Sequence, residues 1–194
     1  MVTETQLHRF GTTHQALMLL PSDWTQLPLD GKATRLDRLV SGLELEGEGA
    51  KSLVRQSLGS LLEQARAINA VFAAVLFGAS DVPVTGSLAI CELPNEFTSA
   101  TVVEVTWRAG GREIERYSSP EGPLVTTERT RPVEVASATD TIDVWEMQAA
   151  LPHPTSGGLL FSFSTPMLSV SEQFKTLAMA VLGTVRWAEE RGKS

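Results

Sequence analysis

The chain has only one cysteine, Cys91, so no intramolecular disulfide can form and a disulfide-stapled secreted scaffold is excluded. A reducing, cytoplasmic setting is the expectation. Histidine is nearly as scarce. His8, His14 and His153 do not supply the three or four closely spaced ligands of a zinc site. Long hydrophobic runs are missing too: the stretch Ala70 to Phe77 falls well short of the about 20 residues that cross a bilayer. The start, Met1-Val2-Thr3-Glu4-Thr5-Gln6, lacks the basic flank and apolar run of a signal peptide. A basic excess is also absent, with 16 Lys plus Arg against 23 Asp plus Glu and a formal charge of -7. That balance repels phosphate backbones and anionic lipid. Nucleic acid and membrane insertion are therefore not expected. Lys32, Arg35 and Arg38 read as the solvated face of a helix.

What is present is ordinary globular material, 42% hydrophobic and 20% charged over 194 residues. A chain of that length buries roughly 70% of the surface its unfolded form exposes. The expectation is a single α+β domain over residues 1–194, with 1–12 and 188–194 as frayed ends.

Along the chain, Gln15 to Leu20 reads as a strand stopping at Pro21, after which Trp24 covers one edge of the core. Leu36, Leu39, Val40 and Leu43 have helical spacing. Glu46-Gly47-Glu48-Gly49 breaks that helix, and a second one carries Leu53, Val54, Ser57, Leu58, Leu61, Leu62, Ala65 and Ile68 on one face. Ala70 to Phe77 reads as a strand covered on both sides, and Ser87 to Leu93 as another. In Thr101 to Arg108, Val103, Val105 and Trp107 alternate with Glu104, Thr106 and Arg108, which predicts a half-buried strand, and Gly110-Gly111 predicts a hairpin into Glu113 to Tyr117. Leu124 to Thr127, Pro132 to Val135, Thr141 to Leu151 and Leu159 to Thr165 complete the strands. Ser169 and Glu172 have the form of a capping box for a last helix bearing Val170, Phe174, Leu177, Ala178, Val181, Leu182 and Val185, closing near Trp187. The fold class is α+β: an antiparallel meander sheet flanked by an N-terminal helix pair and a C-terminal helix.

The chemistry-bearing residues form no motif. Ser162 or Ser164, with His153 and Asp140 or Asp143, would supply the residue types of a serine hydrolase, but no Gly-x-Ser-x-Gly elbow is present. Serines alternating with phenylalanines describe the polar side of a strand. Cys91 reads as a small buried filler. Glu44, Glu46 and Glu48 lack the calcium-loop pattern, and neither Gly110-Gly111 nor Gly157-Gly158 matches a phosphate-binding loop. No catalytic residue, metal ligand or cofactor is implied. Trp24, Trp107, Trp145, Phe161, Phe163 and Trp187 belong by default to the core. Trp107 and Trp145, on meander strands, are the candidates for exposed partner-binding aromatics.

The stretches Pro21-Ser22-Asp23-Trp24, Leu27-Pro28-Leu29, Phe161-Ser162-Phe163-Ser164-Thr165-Pro166 and Thr184-Val185-Arg186-Trp187 resemble a group of uncharacterised actinobacterial α/β proteins across nearly the whole chain. The arrangement is similar, more loosely, to the PsbP-like sandwich, an antiparallel sheet flanked by helices that serves as a binding scaffold. The resemblance implies an accessory role beside type VII secretion components and carries over no catalytic residue. The leading expectation is a non-catalytic protein-interaction module, accessory or chaperone-like, in a bacterial secretion or envelope assembly. A protein partner is expected and a homo-oligomer is left open. A small-ligand or lipid-binding protein, with a pocket between the sheet and the helix pair, comes second. An unrecognised serine hydrolase comes third.

Overall fold

The structure, a computed structural model, describes residues 4–30, 33–43, 47–77, 84–134 and 141–188. Among them the chain is α+β, with two antiparallel sheets and four α-helices. Strands β1 (Thr5–Phe10), β2 (Ala16–Pro21) and β3 (Trp24–Gln26) precede helices α1 (Ala33–Gly42) and α2 (Glu48–Ala67). Then come β4 (Phe72–Phe77), β5 (Val84–Leu93), helix α3 (Ala100–Ala109), β6 (Glu115–Ser119), β7 (Gly122–Glu134), β8 (Thr141–Pro152) and β9 (Gly158–Thr165). A 3-10 turn, Leu168–Val170, leads into α4 (Ser171–Gly183) and the two-residue β10 (Arg186–Trp187). The large sheet runs β3-β4-β5-β9-β8-β7-β6, and the small one β1-β2-β10.

Alternation on the central strands gives the large sheet two different faces. One face carries Phe72, Leu88, Ile90, Met147, Phe161 and Phe163, all buried with Met18 and Leu20 of the small sheet and Phe174, Val181 and Leu182 of α4. Aromatic rings knit this core: the Phe10 ring lies tilted 5.6 Å from Phe72 and the Trp24 ring stacks 6.1 Å from Phe174, both in the range of favourable ring contacts. Among the described residues, helices pack on the opposite face at its two ends. At β4, Ala73 and Val75 pack beneath α1 and α2, with Val40, Val54, Leu58 and Leu62. Towards β7, Val125 and Ala150 pack beneath α3, with Val103 and Trp107.

Several elements depart from the sequence reading. Residues 101–108 form a helix, not a strand. Ser99 caps it by accepting a hydrogen bond from the Val102 amide at 3.3 Å. Burial at Ala100, Val103 and Trp107 follows helical spacing while Val105 faces solvent. Gly110 therefore closes that helix, with Gly111 at φ 75°, instead of turning a hairpin. Residues 5–10 are a strand, not a frayed end, held by six ladder pairs to β2. Leu124 to Thr127 and Pro132 to Glu134 belong to one long strand, β7, and Val135 lies outside the described residues. The capping box does not form: Ser169 lies inside the 3-10 turn and α4 starts without a side-chain cap. The last helix stops at Gly183, and Arg186–Trp187 pairs with β2. On α2 Leu53 is exposed, as is Ile68 at its C-cap, and the buried stripe is Val54, Leu58, Leu62 and Ala65.

Candidate functional site

The strand register writes the chemistry of the half-covered face as rows of directly paired residues. One row reads Val75, Ser87, Ser164, Glu146, Arg129, and the next reads Ala73, Ala89, Ser162, Gln148, Thr127. Each row starts apolar beneath α2, passes through small residues at mid-sheet and ends polar or charged on β7. Small side chains at the centre and helices at the ends leave a cleft of about 540 Å³. Its wall includes Leu61 and Ala65 of α2 and Ile68 just past its end, and its floor includes Ala89, Cys91, Ser162 and Ser164. A neighbouring groove beside Gly111 and Arg112 shares Arg129, Glu146 and Gln148 with it.

Glu146 organises the charged end. It is the only charged residue buried among the described residues. Its Oε2 accepts from Arg129 Nε at 2.8 Å and Arg131 Nε at 3.1 Å, and Arg129 Nη2 lies 2.7 Å from it in the ion pair. Its Oε1 accepts from Ser162 Oγ at 3.2 Å and Gln148 Nε2 at 3.3 Å. Arg112 Nη1 in turn donates to Gln148 Oε1 at 2.6 Å while its guanidinium lies over the Trp107 ring, 5.2 Å from the centroid. Burial pushes the Glu146 carboxyl up, but the hydrogen bonds and charges of Arg129 and Arg131 outweigh it, so the group sits below the ordinary glutamate range. Ser87 and Ser164 hydroxyls bond each other at 2.7 Å. Burial pushes the Cys91 thiol up.

The residues picked out from the sequence fall as follows. Trp107 sits on α3 at 8% exposure and Trp145 on β8 at 6%, which corrects the expectation that they are exposed aromatics. Trp107 is the helix's packing residue. The Trp145 ring meets Phe174 edge-on at 6.0 Å, and its Nε1 donates to Glu128 at 3.3 Å. Ser162 and Ser164 do line the cleft, but the acid beside Ser162 is Glu146. His153 is engaged elsewhere: it stacks on His14 at 3.7 Å, meets Trp187 edge-on, and lies 2.8 Å from Thr155 Oγ1 through Nδ1. Asp143 is exposed on β8, and Asp140 lies outside the described residues. So do Lys32, Glu44 and Glu46, while Arg35 pairs with Asp30 at 2.9 Å and Glu48 with Lys51 at 3.5 Å. Among the described residues no three His, Cys, Asp or Glu side chains gather as metal ligands, and no helix is long and apolar enough to cross a membrane.

Glu146, Arg129, Arg131, Gln148 and Arg112 were not singled out from the sequence. The available signal was Arg129-Thr130-Arg131 opposite a glutamate flanked by Trp145 and Met147, but only the β7–β8 register joins them.

No protein-family model matches the sequence, and no curated protein matches it. A solved structure from Bacteroides thetaiotaomicron VPI-5482 is similar over 92% of this chain at 14% identity, with a TM-score of 0.43. The chain spans about half, 47%, of that protein.

Proposed function

We propose that the protein is a non-catalytic interaction module that receives a segment of a protein partner in the sheet-face cleft between α2 and α3. One observation carries this reading: the cleft is open and lined, yet the serine hydroxyls and the carboxylate on its floor are already committed to one another. Ser162 donates to Glu146 and Ser87 pairs with Ser164. A carboxylate held ionised by two guanidiniums is a weak proton acceptor, which suits positioning better than general base work. What such a floor offers is shape, hydrogen-bonding capacity and an apolar wall. The PsbP-like scaffold and the accessory role in a secretion or envelope assembly rest on the four sequence stretches quoted above.

The test is affinity purification from the native host with the wild-type protein and with Ala89→Arg, which fills the cleft floor. A stoichiometric partner retained by the wild type and lost from the variant is expected. Equal retention by both, or a clean monomer in both, sinks the reading.

A second reading, a small-ligand or lipid-binding protein, is favoured by the cleft volume of about 540 Å³, within the range of small-molecule sites. Native mass spectrometry of freshly purified protein separates it from the first: a co-purifying small ligand displaces the protein-partner reading.

A further inference from the structure

We propose that Arg129 and Arg131 form a receptor for carboxylate side chains, so that the segment entering the cleft is acidic, with an aspartate or glutamate on the arginine pair and an apolar residue against α2. This deepens the interaction-module reading and rests on it.

The argument is one of unspent charge and fixed geometry. Arg129 and Arg131 share one carboxylate, Glu146, whose side chain is only 8% exposed. Four donors already bond its two oxygens and Arg129 Nη2 lies 2.7 Å from one of them, about the acceptor capacity of an ionised carboxylate, and its single negative charge offsets only one of the two cations. Arg112 joins the same network through Gln148. Glu128, which neighbours Arg129 in sequence, is spent elsewhere: it forms an ion pair with Lys175 and accepts from the Trp145 indole. Glu113 lines the adjoining groove. In a chain of formal charge -7, the lining of the cleft itself sets Arg129 and Arg131 against Glu146, one positive charge in excess.

The arginines are also presented, not hidden. Their side chains are 53% and 41% exposed. Arg129 uses Nε and Nη2 on Glu146, and Arg131 uses Nε. That leaves Arg129 Nη1 and both terminal nitrogens of Arg131 without a partner among the described residues. A guanidinium anchored on one side by a buried carboxylate is pre-organised to bind a second carboxylate on the other. The apolar wall at Leu61, Ala65 and Ile68 adds a contact that a free inorganic anion cannot use.

Selection of a random dodecapeptide phage library on the full-length protein tests this, followed by fluorescence anisotropy with a labelled selected peptide. The expected result is enrichment of Asp and Glu beside an apolar residue, and binding weakened about tenfold by Arg131→Gln, in line with loss of one charge-assisted contact. Arg131→Lys, which keeps the charge and loses the fork, should weaken binding less than Arg131→Gln does, a ranking that a merely loosened fold would not produce. Citrate measured alone separates the sources: citrate that matches the peptide in affinity, insensitive to Ala89→Arg, overturns the peptide assignment. Selected peptides that bind the cleft without acidic enrichment, or that ignore Arg131→Gln, overturn the carboxylate receptor while leaving the cleft as an interaction site. The absence of any binder blocked by Ala89→Arg overturns both.

Discussion

Arg129 and Glu146 face each other across the β7–β8 ladder, and the guanidinium grips one carboxylate oxygen through two nitrogens at 2.8 and 2.7 Å. The pair lines the cleft between α2 and α3 and ties two strands together.

The first prediction concerns acid. Burial alone would raise the Glu146 carboxyl, but the two arginines bring it below its ordinary value. A carboxylate depressed in the folded state contributes stability that is fully present above the unfolded value of about 4.3 and is lost as pH falls through the folded value. Glu146→Gln should therefore lower stability at pH 7 by about 1–2 kcal/mol and flatten the stability profile below about pH 4.3. Urea unfolding from pH 3 to 7 reads both effects. An unchanged slope in the acid range would remove Glu146 from the account.

A second prediction follows from the opposite face of the sheet. A Cβ built on Gly86 falls 2.4 Å from Phe174 Cε2 and 2.6 Å from its Cζ, so strand β5 and helix α4 approach as closely as they do only because position 86 has no side chain. Gly86→Ala should destabilise by about 1–3 kcal/mol, the usual range for overpacking. Adding Phe174→Leu should recover part of the loss, because the atoms displaced belong to one ring. Thermal unfolding of the single and double variants decides it, and a double variant no better than the sum of the singles would place the strain elsewhere.

The third prediction turns on helix starts. Ser99 accepts the Val102 amide hydrogen bond at the start of α3, whereas Ser169 lies within a 3-10 turn and caps nothing. Ser99→Ala should cost about 1 kcal/mol, while Ser169→Ala should stay within about 0.5 kcal/mol. Chemical denaturation of the two variants makes the comparison, and the reverse ranking would restore the capping box read from the sequence.

These two serines also mark where sequence pattern does and does not determine structure. Strands β8 and β9 were legible because Trp145, Met147, Ala149 and Leu151, and Leu159, Phe161 and Phe163, alternate into one core. The helix pair was legible from its apolar spacing. Helix α3 was not, since Val103, Val105 and Trp107 satisfy a two-residue period as well as Ala100, Val103 and Trp107 satisfy a helical one. The cap at Ser99 and the apolar patch of Val125 and Ala150 beneath the helix settle the choice. Strand β1 was hidden because Phe10 is its one buried residue. The cleft was less legible still. Ser162 and Ser164 were visible as a polar strand face, but the partners of that face are set by register. Arg129 meets Glu146, and Gln148 meets Ser162, through ladders joining segments 17 and 14 residues apart. Local propensity does not encode that pairing.

The last prediction uses Cys91 as a reporter of the same cleft. The thiol lies on its floor, half-buried, and burial raises its ionisation above the ordinary thiol value. Because the thiolate is the reacting species, alkylation by iodoacetamide at pH 7.5 should run severalfold slower than for glutathione, with a pH midpoint above the ordinary 9.0. An occupant of the cleft should slow it further, and so should Ala89→Arg, since Ala89 shares that floor. Mass spectrometry of the alkylated protein gives the rate. A Cys91 that reacts as fast as glutathione at neutral pH, and whose rate ignores Ala89→Arg, would mean that the floor is open to solvent in a way that the walls of α2 do not allow.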